Sequence, residues 1–182
     1  LAKQVEAAGF HLDVGVLGAK AILNALSENG EAETAYKLAA QDTYPSWGCW
    51  IANGATTLLE NWDLNATRDI SDNHMMFGEI GGWFYKGLGG IFPDPESPGF
   101  KHILLRPNFP SGLNEFEARY QSPYGEICSK WERKKNRIFY HVTVPANSTA
   151  TFYAPDNVKG ERMVNLEAGE HILELTIKKV VY

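Results

Sequence analysis

Apolar residues recur at helical spacing over the first ninety positions and at every second position after about Gly99, so the chain changes period once along its length. Leu1 to Ala8 reads as the end of a helix with Gly9 as its stop. Val14 to Glu28 follows with Val14, Val16, Leu17, Ala19, Ala21, Ile22, Leu23, Ala25 and Leu26 apolar on nearly every side, which predicts a helix buried all round. Asp13 stands where it can cap that helix, and Asn29-Gly30 ends it. Glu31 to Gln41 places Ala32, Ala35, Leu38 and Ala39 opposite Glu33 and Lys37, an amphipathic helix with one wet face. A buried helix joined by a tight turn to a half-exposed one predicts an αα-hairpin. A last helix is expected over His74 to Leu88, with Phe77, Ile80, Phe84 and Leu88 on one side. Its four glycines, at 78, 81, 82 and 87, each cost about 1 kcal/mol relative to Ala, so packing must compensate.

The helical pattern stops at Gly89 to Gly99, a stretch with three prolines and three glycines that cannot continue a helix. Beyond it Phe116, Ala118 and Tyr120 alternate with Glu117 and Arg119, Ile127, Ser129 and Trp131 with Cys128 and Lys130, and Ile138, Tyr140, Val142 and Val144 with Phe139, His141 and Thr143. Lys134 to Arg137 reads as a hairpin between two of these strands. Ala150 to Ala154 gives a fourth strand, and Leu173, Leu175 and Ile177 mark the last before the Lys178 to Tyr182 end. The expected organisation is a helical part over residues 1–90 and an antiparallel β-sandwich over residues 91–182.

Composition narrows the function. With 44% apolar and 21% charged residues the chain is of globular type, and no apolar run reaches the roughly 18 residues of a membrane-spanning helix. Seventeen basic against twenty-two acidic side chains give a net charge of -5, opposite to the basic footprint of a nucleic-acid binder. Cys49 and Cys128 are too few for a disulfide scaffold, and no Cys or His pair stands at zinc-ligand spacing, so neither metal nor cofactor is expected. Both read as small buried hydrophobes without a basic neighbour. The chain starts at Leu1 without an initiator Met and reads as a piece of something longer.

Candidate chemistry gathers in Thr43 to Asp63. Tyr44, Trp47, Trp50 and Trp62 lie there beside Glu60, Asn61 and Asp63. A pyranose offers apolar C–H faces to aromatic rings and hydroxyls to carboxylates and amides, so this mixture suits a sugar. Residue type alone permits plainer readings: Glu60 as a solvated carboxylate or loop ion-pair partner, His74 as a helix cap with Asp72 or Asn73, Trp47 and Trp62 as packing between hairpins. Trp50, Phe77, Trp83, Phe84 and Trp131 read as core, and the basic run Lys130 to Arg137 as a solvated hairpin.

Four motifs sharpen this picture. Gly9-Phe10-His11-Leu12-Asp13-Val14-Gly15-Val16-Leu17-Gly18, Tyr44-Pro45-Ser46-Trp47-Gly48, Asn53-Gly54-Ala55-Thr56-Thr57-Leu58-Leu59-Glu60-Asn61-Trp62-Asp63 and Asn73-His74-Met75-Met76-Phe77-Gly78 occur in this order, and the whole chain resembles the bacterial α-L-rhamnosidases. The resemblance implies the C-terminal part of a catalytic (α/α) toroid followed by a C-terminal antiparallel β-sandwich. It also implies release of terminal α-L-rhamnose with inversion, from a glycoside or polysaccharide. Glu60 then falls on the general base and His74 on a substrate-contacting histidine, with Trp47 and Trp62 shaping the pocket wall. The general acid is expected upstream of Leu1 in the same polypeptide, so the chain alone should be catalytically silent, and its bared helical half should self-associate or rearrange. Leu59 stands where the family usually has Trp, Cys49 where an aromatic is common, and Glu79 is out of register with the family's acidic residue before Trp83, so it receives no role. Two alternatives stay open: a non-catalytic carbohydrate-binding or scaffold module, and a toroidal glycosidase for another sugar.

Overall fold

Helical spacing becomes real helix in the order α1 (Ala2–Ala7), α2 (Val16–Glu28), α3 (Ala32–Ala39) and α4 (Trp47–Ala52), followed by a 3₁₀ turn (Met75–Phe77) and α5 (Glu79–Trp83). The computed structural model describes residues 1–178, which fall into a helical unit, 1–83, and a β unit from Phe84 onward. Lys179, Val180, Val181 and Tyr182, counted in the expected sandwich segment, lie outside the described residues.

In the helical unit α2 buries Ala19, Ile22, Leu23 and Leu26, the i, i+3, i+4, i+7 stripe of an amphipathic helix. The expectation of burial all round does not hold: α2 packs against α3, α5 and the 3₁₀ turn, and Leu17, turned away from them, is 79% exposed. Asp13 is not the cap either. The helix starts two residues later, with Gly15 at the N-cap and no side-chain bond to it. α2 and α3 form the expected hairpin through Gly30, whose φ of 83° lies in the left-handed region. Two polar pins fix α5 on α2: Asn24 Nδ2 donates to Glu79 Oε1 at 2.9 Å and Trp83 Nε1 to Ser27 Oγ at 2.8 Å. α4 opens on Ser46, whose hydroxyl accepts from the Cys49 amide at 3.0 Å. Gly48 sits so close to Gln41 that an added Cβ would lie 2.2 Å from the Gln41 carbonyl oxygen.

The single helix expected over His74 to Leu88 is instead the 3₁₀ turn, α5 and, at the start of the β unit, a π turn (Phe84–Leu88). Its glycines supply little helix propensity, and each change of winding resets the 3.6-residue period. The one-sided apolar stripe is lost as a result: Phe77 and Trp83 are buried, whereas Phe84 is 40% exposed.

The β unit contains β1 (Ile91–Pro93), β2 (His102–Leu105), β3 (Glu115–Ser122), β4 (Gly125–Lys134), β5 (Arg137–Val144), β6 (Thr149–Tyr153), β7 (Val158–Lys159), β8 (Met163–Leu166) and β9 (Gly169–Ile177). One sheet has the order β1-β2-β6-β8 and the other β3-β4-β5-β9-β7. The pairing is antiparallel except between β2 and β6, which run parallel from His102 opposite Thr149 to Leu105 opposite Phe152. Alternation reveals only which face a residue occupies, so this parallel pair was not readable from it. β1, β2, β7 and β8 were not foreseen, each being two to four residues long and too short to show a period.

Both sheets contribute to one core, in which Ile103, Leu105 and Phe152 meet Ile127, Trp131, Ile138 and Tyr140. Trp131 donates from Nε1 to the Leu88 carbonyl at 3.3 Å, and Phe109 stands edge-on to its ring at 5.3 Å. Burial pushes the Tyr140 phenol well above its ordinary value, so it stays neutral and shares a 3.0 Å hydrogen bond with Ser129. Gly90, at φ 68°, presses against the Arg106-Pro107 peptide, where a Cβ would come within 2.0 Å of the Pro107 nitrogen.

Cys49 and Cys128 are both free and buried. Desolvation raises the Cys128 thiol above its ordinary value, although Arg119, its cross-strand neighbour, opposes the shift. The expectation of no basic neighbour therefore fails for Cys128, because β3 and β4 pair in that register. Lys134 to Arg137 are exposed, as a solvated hairpin should be, and Arg133 beside them is drawn inward. Arg133 donates to the carbonyls of Phe109, Pro110 and Leu113 and ties that loop to β4.

Candidate active site

After α4 the chain runs out to a loop and returns, and the two limbs are stitched together. The Glu60 amide donates to the Ser71 carbonyl at 3.0 Å, the His74 amide to the Leu58 carbonyl at 2.8 Å, and Thr57 Oγ1 to the Asp72 carbonyl. Between them the chain turns through short polar side chains that accept from backbone amides two residues on: Asn61 Oδ1 from Asp63 at 2.9 Å and Asp63 Oδ1 from Asn65 at 2.8 Å.

This stitching brings Glu60 and His74 together across fourteen residues of sequence. One carboxylate oxygen of Glu60 accepts from the Ser71 amide at 3.1 Å, and the other lies 3.7 Å from His74 Nε2. The separation exceeds a hydrogen bond, which leaves both groups able to engage a third molecule. Each side chain keeps 28% of its surface in solvent. His74 also caps the 3₁₀ turn, its Nδ1 accepting from the Met76 amide at 3.4 Å. A neutral ring that accepts at Nδ1 carries its proton at Nε2, the nitrogen facing Glu60. The plain capping role and the position beside Glu60 thus belong to different nitrogens of one ring.

Trp47 and Trp62 sit elsewhere, in an aromatic cluster inside the helical unit. Their ring centroids are 5.2 Å apart and nearly perpendicular, Trp50 stacks on Trp62 at 4.5 Å, and Phe77 tilts against Trp62 at 4.2 Å. Such pairs contribute about 0.5–1.5 kcal/mol each beyond area burial. Both indole N–H groups are committed to backbone, Trp47 to the Phe77 carbonyl at 3.0 Å and Trp62 to the Val14 carbonyl at 2.8 Å. Trp62 follows Glu60 by two residues, so the cluster anchors one limb of the loop, and Phe77 anchors the end of the other.

A shallow open depression adjoins the Glu60 side chain and is edged by Leu59, Asp63, Leu64, Ile70 and Asp72. Sequence reasoning missed Ser71, because a backbone amide carries no sequence signal. Among the described residues no group of three or more His, Cys, Asp or Glu side chains could hold a metal ion, and no helix is long and apolar enough to cross a membrane. What this arrangement can do is remove a proton: an oriented half-buried carboxylate with an imidazole N–H beside it suits a general base.

A helical hairpin unit carrying such a carboxylate, followed by a two-sheet β unit rich in antiparallel pairs, defines the class. The family model described as the bacterial alpha-L-rhamnosidase 6 hairpin glycosidase domain matches residues 1–88, and that of the bacterial alpha-L-rhamnosidase C-terminal domain matches residues 90–169. The chain belongs to the bacterial α-L-rhamnosidase family. An alpha-L-rhamnosidase of Formosa agariphila is 36% identical over 173 residues, 91% of this chain and 18% of that protein. The solved alpha-L-rhamnosidase from Dictyoglumus thermophilum aligns with a TM-score of 0.85 at 29% identity, over 96% of this chain and 22% of that one. The Streptomyces avermitilis alpha-L-rhamnosidase complexed with L-rhamnose aligns with a TM-score of 0.76 at 29% identity, over 97% of this chain and 18% of that one. The chain therefore spans about a fifth of the relatives it matches. The resemblance drawn from the four motifs and the order of helical hairpins before β-sandwich are both borne out.

Proposed function

We propose that this chain is the C-terminal portion of an inverting α-L-rhamnosidase in which Glu60 is the general base. The observation that carries the reading is the Glu60 carboxylate, oriented by the Ser71 amide and left with its second oxygen toward His74 and solvent. Glu60 takes a proton from water, the water oxygen bonds to the anomeric carbon, and the glycosidic C–O bond breaks on the opposite face of the ring. The departing oxygen is protonated by an acid that the rest of the polypeptide supplies, about 6.5–9.5 Å from Glu60 so that the water fits. His74 donates from Nε2 to a sugar hydroxyl, and Trp47 and Trp62 contribute indirectly, by holding the loop in place from inside the helical unit.

The test is the anomer formed first. A full-length enzyme given an aryl α-L-rhamnoside should release β-L-rhamnose before mutarotation, as followed by proton NMR. Initial α-L-rhamnose, or no hydrolysis, overturns the reading. The chain by itself is expected to be inert because it lacks the acid.

The isolated chain is also expected to self-associate. Leu17 at 79%, Ile51 at 71% and Met75 at 85% exposure are large apolar side chains of the helical unit that water covers poorly. Light scattering should show a mass that rises with concentration, and Leu17→Lys with Ile51→Lys should lower it. A clean monomer at high concentration contradicts this expectation.

A further inference from the structure

The Glu60 depression has an apolar rim that the proposed chemistry does not use. Ile70 is 62% exposed and Leu64 is 43% exposed, and both border the same hollow as the Glu60 side chain. Ile70 directly precedes Ser71, whose amide holds Glu60 Oε2, so its backbone is tied to the carboxylate through one peptide unit. Around it the loop is polar, with Asn61, Asp63, Asn65, Asp69 and Asp72.

Stereochemistry says which part of the sugar comes to this rim. L-Rhamnose is a 6-deoxy sugar and ends in a methyl group on C5. In an α-pyranoside the anomeric oxygen and the C5 substituent lie on opposite faces of the ring. Water that enters opposite the departing oxygen therefore arrives on the face that carries the methyl group, and the residues bordering the base are the ones that face it. An exposed isobutyl-sized group there has an apolar partner in the substrate and none among hydroxyls.

We propose that Ile70, flanked by Leu64, receives the C6 methyl group of the rhamnosyl residue and so selects the 6-deoxy sugar. The inference rests on Glu60 being the base of an inverting rhamnosidase. An apolar contact of this kind discriminates modestly, about tenfold to a hundredfold against the analogue that adds one hydroxyl.

The experiment compares kcat/KM of the full-length enzyme for an aryl α-L-rhamnoside and for the matching aryl α-L-mannoside, which differs only by a hydroxyl on C6. Ile70→Ser should lower the rhamnoside-to-mannoside ratio by about tenfold. Ile70→Val should keep the ratio near that of the natural protein, and the unfolding midpoint of both variants should stay put because Ile70 is a surface residue. An unmoved ratio in Ile70→Ser, or an equal fall for both substrates, overturns the role of Ile70 while Glu60 stands. A natural enzyme that ignores the rhamnoside altogether removes the underlying function, and this inference with it.

Discussion

Glu60→Gln in the full-length enzyme is expected to lower kcat by about 10²–10⁴, the usual worth of general acid–base assistance. The amide is nearly isosteric and can still accept from the Ser71 amide, so the loop stitched through Glu60, Leu58 and His74 should survive and the unfolding midpoint should change little. What goes is the ability to take a proton from water. Azide needs no proton removed, so it should restore turnover in the variant and leave as the inverted glycosyl azide, while doing little for the natural enzyme. Near-normal hydrolysis by Glu60→Gln without azide would show that another group activates the water. A matching loss with no azide rescue and a lowered unfolding midpoint would make Glu60 a structural residue of the loop.

The largest effect on stability is expected from Trp131→Ala. Trp131 has no solvent exposure and touches Phe109 and Phe116 in the shared core of the two sheets. Truncation leaves a cavity and an unmatched Leu88 carbonyl, and large aromatic-to-Ala changes in cores cost about 3–5 kcal/mol. At roughly 4–8 °C per kcal/mol for a domain of this size, the β unit should melt at least about 12 °C lower, if it folds at all. Calorimetry of the chain with and without the substitution checks this, and Trp131→Phe should recover part of the loss. A shift of only a few degrees would mean that the core closes over the gap.

Particular residues show how far the sequence could be read. The strand alternation of Ile138, Tyr140, Val142 and Val144 returned as the inward face of β5, since a period of two leaves no choice once one face is buried. The α2–α3 hairpin was equally legible, because the Ala19, Ile22, Leu23, Leu26 stripe and the Asn29-Gly30 stop are local signals. The extent of burial around α2 was not, since exposure of Leu17 depends on which neighbours are present. Glu60 stands out among the aromatic and acidic residues of its segment, but its place beside His74 does not, because nothing in their separation of fourteen residues announces a contact.

By itself the sequence determined the order of helical and β segments, the hairpin, the strand faces and the family, all of which depend on spacing within a few residues or on motifs read along the chain. Only the tertiary structure decided that β2 and β6 run parallel, that the Trp47 and Trp62 indoles are packed on one another inside the helical unit, and that the Ser71 amide aims the Glu60 carboxylate beside His74. These are contacts between residues distant in sequence, and their geometry follows from loop closure and packing rather than from any local preference.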